Sequence, residues 1–141
     1  MNAKEGLIGF VVQQFESLCS KGFKYHNLEH TKSVVENCLR IGKAEKVTQS
    51  DLELLEIAAW FHDLGYLYNV DNHEHYGAIR AQEMLSQNGF NQTDVTMVVG
   101  MILSTDVLRH PMNKLEKIIK DADLNHLGQD SFFQSSLALK E

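Results

Sequence analysis

The chain has 141 residues, 43% of them hydrophobic, which is enough for one domain with a core of its own. A formal net charge of −6 argues against duplex nucleic acid as a partner, while small anionic substrates stay open. No apolar run nears the ~20 residues that cross a bilayer, so no membrane partner is expected. Cys19 and Cys38 are far apart and no charged-then-apolar leader opens the chain, so a cytoplasmic protein with packed thiols is expected.

With a single proline, Pro111, and few alternating runs, the sequence predicts an all-α, single-domain helical bundle of about six to seven helices. The first helix carries Leu7, Val11, Phe15 and Leu18 on one face and is expected to end near Gly22. A loop with Tyr25 to Asn27 follows, then a second helix from near Leu28 to about Gly42, with His30, Val34, Cys38 and Ile41 along one side. Thr48, Ser50 or Asp51 caps a third helix, in which Leu55, Ala58, Ala59 and His62 share the core-facing stripe and Gly65 acts as the stop. A fourth helix spans about His73 to Asn88 and closes on Asn88-Gly89. Thr93 or Asp94 begins a fifth, through Val98 and Ile102, which is broken by a Thr105 to Asn113 loop. The sixth, Lys114 to about Leu124, points Asp123 inward one turn after Ile119, and Ser131 to Glu141 reads as the beginning of a further helix.

His62-Asp63 stands out because it closes the apolar run Ile57-Ala58-Ala59-Trp60-Phe61, where a buried carboxylate needs a cation. Flanking candidates are His26 and His30, His73, and Asp123 in Lys120-Asp121-Ala122-Asp123-Leu124, with Asp121 as the alternative to Asp123. Imidazole nitrogen mixed with carboxylate oxygen suits Mn, Fe, Co, Ni or Zn better than calcium; Mg also stays in the set. Adjacent residues lie about 100° apart on an ideal helix, so His62 and Asp63 share one ion where the helix ends.

The order H…HD…D, with its apolar lead and the Gly65 turn, resembles the HD-domain superfamily of metal-dependent phosphohydrolases over roughly Tyr25 to Gly128, most of the 141 residues. Members of that family usually continue further, which implies a chain cut short at its C-terminus. The resemblance implies His30, His62, Asp63 and Asp123 as metal ligands, Asp63 also serving catalysis, and a divalent ion that activates water against a phosphate ester of a small metabolite or nucleotide. A Tyr-His-Asn element shared with cyclic-nucleotide phosphodiesterases makes His26 a candidate general acid. Glu74 and Asp71 are candidate water-orienting bases, and Lys120, Arg80 and Arg109 candidate phosphate contacts. His73 resembles a histidine that holds a second ion in dinuclear members; His110 is a weaker candidate for the same place. Mononuclear binding is preferred, with dinuclear second. His75 and His126 are read as surface or supporting residues, Trp60, Phe61, Tyr66 and Tyr68 as core or pocket wall.

Two other readings accompany this one: a non-catalytic regulatory module that binds metal or nucleotide, and an HD-type di-iron oxygenase. A homodimer is compatible with all three.

Overall fold

A computed structural model describes residues 2–19, 26–68 and 71–129; within these spans the side chains at 18, 19, 26, 27 and 125–129 lie outside the description. Six α-helices and no strand occur among the described residues: α1 (Ala3–Cys19), α2 (His26–Ala44), α3 (Gln49–Phe61), α4 (His73–Gln87), α5 (Gln92–Leu103) and α6 (Lys114–Gln129), with a 3₁₀ turn at Leu64–Leu67. None of the described helices is long and apolar enough to cross a membrane.

α3 is the axis of the bundle. It packs against all five other helices and buries Leu52, Leu54, Leu55, Ile57, Ala58, Ala59 and Phe61, with Glu53 left on its exposed side. Around it α1 contributes Leu7, Val11 and Phe15, and α2 contributes Leu28, Val34, Val35 and Cys38. Burial, then Asp123, push the Cys38 thiol far above its ordinary range, which makes it a packing group rather than a nucleophile. α4 and α5 pack as a neighbouring pair, and α6 lies along α2.

Helix starts follow local side-chain chemistry. Thr48 accepts from Asp51 N at 3.1 Å and caps α3. The start of α5 differs from the expectation of Thr93 or Asp94: Asn91 is the cap, accepting from Asp94 N at 2.8 Å. Asn113 and Glu116 close the head of α6, where Asn113 Oδ1 accepts from Glu116 N at 2.9 Å and Glu116 Oε1 accepts from Met112 N at 2.9 Å.

Helix ends depart further from the sequence reading. α2 runs past Gly42 to Ala44 and breaks at Lys46, whose φ is 61°. Gly42 is there for contact: a Cβ would lie 2.7 Å from Leu52 Cδ1. α6 continues to Gln129, beyond the expected end near Leu124. Gly89, at φ 86°, follows the C-cap of α4 as expected. The expected end of α1 near Gly22 and the further helix over Ser131 to Glu141 lie outside the described residues.

Gly65 is more than a helix stop. A Cβ at this position would stand 1.8 Å from the His73 carbonyl oxygen and 2.8 Å from Gly77 N, so the 3₁₀ turn and the head of α4 touch backbone to backbone. Gly77 completes the contact, a Cβ there falling 2.9 Å from Phe61 O. Gly65→Ala is expected to cost roughly 3 kcal/mol of stability, because backbone rather than a movable side chain must give way. Gly9→Ala, at an exposed helical position with nothing within 4 Å, should be neutral or stabilising by up to about 1 kcal/mol. Urea denaturation of the two variants checks the pair.

Candidate metal centre

The α-helical ladder of α3 stops at Phe61, and the next two residues turn rather than continue. His62 keeps φ −62° and ψ −31°, its N–H reaching only back to Ala59 O at 3.4 Å, while Asp63 moves to φ −106° and ψ 3° before the 3₁₀ turn begins. This break overcomes the angular separation of neighbouring helical side chains: His62 Nε2 and Asp63 Oδ2 converge to 3.3 Å.

His62 is wholly buried. Its Nδ1 lies 2.6 Å from Ala59 O, and a carbonyl can only accept, so Nδ1 carries the hydrogen and donates. Nε2 then faces the centre of the cluster, buried and with no directed hydrogen-bond partner among the described residues. Its approaches to Asp63 Oδ2 and to Asp123 Oδ1, the latter at 3.7 Å, are electrostatic neighbours rather than directed bonds.

The first turns of α2 deliver His30, whose Nε2 lies 3.1 Å from Asp63 Oδ2 and 3.0 Å from Asp123 Oδ1. Asp123 comes from α6, held against α2 by buried Asn37, whose Nδ2 donates to Ala122 O at 3.4 Å. His30, His62 and Asp123 each offer one ligand atom, all within 4.8 Å of one another, a group that could hold a metal ion. Asp63 presents Oδ2 to both histidines of that group and Oδ1 to His73 Nε2 at 3.6 Å. His73 also meets Glu74 Oε2 at 3.2 Å and stacks on Tyr66, ring centroids 3.8 Å apart. The cluster opens into a cleft of about 350 Å³ whose wall continues through Tyr66 and Glu74 and, across from α4, through Thr105, Asp106 and Val107.

The structure therefore brings together His30, His62, Asp63, Asp123, His73 and Glu74. It does not bring His110 to them; that side chain is exposed and does not line the cleft. His26 heads α2, but its side chain, like that of His126, lies outside the described residues. Asp121 points away, pairing with Lys117 at 3.3 Å, which leaves Asp123 as the inward carboxylate. His75 and Asp71 are exposed, and Tyr68, 46% exposed, donates to Gln14 rather than lining the cleft. The expected phosphate contacts do not reach the cleft wall. Arg80 pairs with Glu83 at 2.7 Å and covers the Phe10 ring, Arg109 is exposed, and Lys120 Nζ donates to the carbonyls of Ser104, Asp106 and Arg109 at 3.1, 2.7 and 2.8 Å. Thr105, Asp106 and Val107 escaped sequence reasoning, because nothing in an irregular loop signals which wall it will form.

The electrostatics follow from two carboxylates facing two imidazoles in a buried space. Burial pushes both histidines toward neutrality, but hydrogen bonds with Asp123 and Asp63 outweigh this for His30 and hold it up at about 10. For His62 the charge of Asp63 and the nearness of Asp123 likewise override burial and hold it at about 9. Burial would raise the Asp123 carboxyl; the bond to His30 and the nearby His62 reverse that and hold it well below the usual carboxylate range. Tyr66 is pushed up to about 12 by burial and then by Asp63, Glu74 and Asp123, so its phenol stays protonated at the cleft. The donor set fits a borderline divalent ion: one such ion carries the charge of the two protons it would replace, and the fixed His62 tautomer aims a lone pair inward.

A model of the HD domain matches residues 27–126, and the chain belongs to the HD-domain family. It is also similar to a solved structure described as a predicted HD superfamily hydrolase from an uncultured Thermotogales bacterium. The two share 24% identity and a TM-score of 0.72, over 96% of this chain and 74% of the other, a likeness of fold. No curated protein matches.

In the metal-free protein His30 and His62 keep their protons to about 10 and 9, against an ordinary value of 6.5 when unfolded. Their stabilisation is then complete below pH 6.5 and is lost as pH rises through 9 to 10, because the folded state binds more protons over that window. Denaturation in chelator should show stability falling from pH 7 to 10, and the fall should be smaller in His30→Gln.

Proposed function

We propose that the protein is a metal-dependent phosphohydrolase acting on a phosphate ester of a small metabolite, a nucleotide in the narrower reading, with His30, His62, Asp63 and Asp123 as the ligand set. The observation that carries this is the wholly buried His62, its Nδ1 spent on Ala59 O and its Nε2, with no directed hydrogen bond among the described residues, aimed at two carboxylates and a second imidazole. A divalent ion bound there would act as a Lewis acid on the phosphoryl group and make its water a nucleophile at neutral pH.

The chain's own residues set the rest of the chemistry. The cleft admits substrate from the side of Tyr66 and Val107, since His62 closes the floor. Glu74, 3.2 Å from His73, orients water and keeps that imidazole in place. Tyr66, protonated through the neutral range, donates to a phosphate oxygen. His26, at the start of α2, acts as general acid toward the leaving oxygen; this role rests on the resemblance alone.

The second reading with support is a dinuclear site. Asp63 divides its oxygens, Oδ2 toward His30 and His62 and Oδ1 toward His73, as a bridging carboxylate would. Iron in both positions would redirect attention to oxygen chemistry, and metal or nucleotide binding without turnover would favour a regulatory module.

Elemental analysis of protein purified without added metal or chelator is the direct test, joined to a screen of phosphomonoesters and nucleotides. About one equivalent of a first-row metal is expected, absent from Asp63→Ala, which should also melt at a lower temperature because metal binding is linked to folding. Unchanged metal in that variant would remove Asp63 from the site. His26→Ala should keep its metal and slow turnover by about 10² to 10⁴; loss of metal there would make it a ligand instead.

A further inference from the structure

A second, smaller pocket of about 110 Å³ adjoins the cleft and shares Thr105, Val107 and Asp123 with it. Its remaining walls are Lys120 and Leu124, which follow α6 on either side of Asp123. Lys120 would make this a phosphate pocket if its ammonium were turned inward. Instead Nζ is spent on three carbonyls at the end of α5 and in the loop behind it, so the lysine offers the pocket its methylene stem. The Thr105 hydroxyl is likewise spent, donating to Ile102 O at 2.7 Å. What remains is a largely apolar hollow with the Asp123 carboxylate as one of its walls.

The loop that closes this hollow is anchored rather than slack, since Lys120 holds it at Ser104, Asp106 and Arg109. It carries Val107, Leu108 and Met112 at 75, 86 and 78% exposure, apolar groups that the core does not use. Val107 stands between the two cavities.

We infer that this pocket is a subsite for the leaving group of the substrate and takes a compact, uncharged, apolar group of at most one ring, attached next to the phosphate. The size sets the limit: a cavity of about 150 Å³ takes benzene, so the smaller hollow, open on one side, seats a short alkyl group or part of a single ring. The absence of any free donor among its described lining residues disfavours a second phosphate there. The inference rests on the phosphohydrolase reading for where the phosphoryl group sits, beside Asp123, and narrows which esters that site accepts.

The test separates the subsite from the reaction by using phosphonates, whose C–P bond this chemistry does not hydrolyse. Manganese-loaded protein is titrated calorimetrically with methylphosphonate, phenylphosphonate and 1-naphthylphosphonate. Phenylphosphonate should bind about tenfold more tightly than methylphosphonate, the effect of removing on the order of 60 Å² of apolar surface from water, and the fused ring should lose that advantage. Leu124→Trp fills the hollow, and Val107→Asp charges its wall at an exposed position where folding is not at stake. Both should bring the phenyl-to-methyl ratio close to one with metal content as in the parent. Equal affinities in the parent protein, no binding of either ligand, or a ratio that survives both variants would overturn the subsite. Phenyl phosphate and methyl phosphate are assayed for hydrolysis in parallel. A preserved phosphonate preference with neither ester hydrolysed would uphold the subsite and overturn the phosphohydrolase reading.

Discussion

The bond from His62 Nδ1 to the Ala59 carbonyl, 2.6 Å long and wholly inside the protein, is the constraint on which the rest of the site depends. It fixes the ring where the apolar last turns of α3 end and leaves Nε2 in a place where water does not reach. A buried polar atom of this kind is costly unless something answers it. Three other elements bring the answer: α2 supplies His30, the turn after α3 supplies Asp63, and α6 supplies Asp123. Removing any one of the four leaves an uncompensated charge or an orphaned nitrogen in a low-dielectric space, which is a larger loss than the pairwise contacts themselves.

α6 shows how one helix can serve two purposes through its period. Asp123 turns in toward α2 and α3, and Lys120, one turn earlier, reaches the carbonyl of Ser104 at the end of α5 and those of Asp106 and Arg109 in the loop that follows. A cation at a helix C-terminus is favoured by the helix dipole as well as by hydrogen bonds. The same helix thus places a carboxylate in the cluster and braces the loop that forms the opposite wall of the cleft, so the width of the cleft is tied to the register of α6.

Strong helical periodicity made most of the bundle legible in the sequence. Leu7, Val11 and Phe15, or Leu55, Ala58, Ala59 and His62, need nothing beyond their spacing to be assigned to a face, and they are buried as that spacing implies. The H…HD…D order was legible for a different reason: carboxylates and histidines in apolar helical runs have few uses. What was not legible is tertiary. Gly42 and Gly65 look like helix stops, yet what they spare is a collision with Leu52 in one case and with the backbone of α4 in the other. Lys120 looks like a phosphate ligand beside an aspartate, and only the position of the loop after α5 shows its ammonium already occupied. His110 carries a ligand-type side chain, but the loop that bears it turns outward at that point.

Exposure across the cluster gives it a direction. The His62 side chain is at 0% and Asp63 at 9%, while His30 and Asp123 reach 21 and 23%. The ring that orders the site is therefore at its floor, and the groups facing solvent are those from α2 and α6, with Val107 and Tyr66 at the rim. A site whose purpose is to hold the fold together closes its ion on all sides, whereas a catalytic one keeps a position free. Here the cluster sits at the edge of the core around α3 with one side toward the cleft, so an ion bound at this place would add to stability and still keep a position for a ligand entering from the cleft.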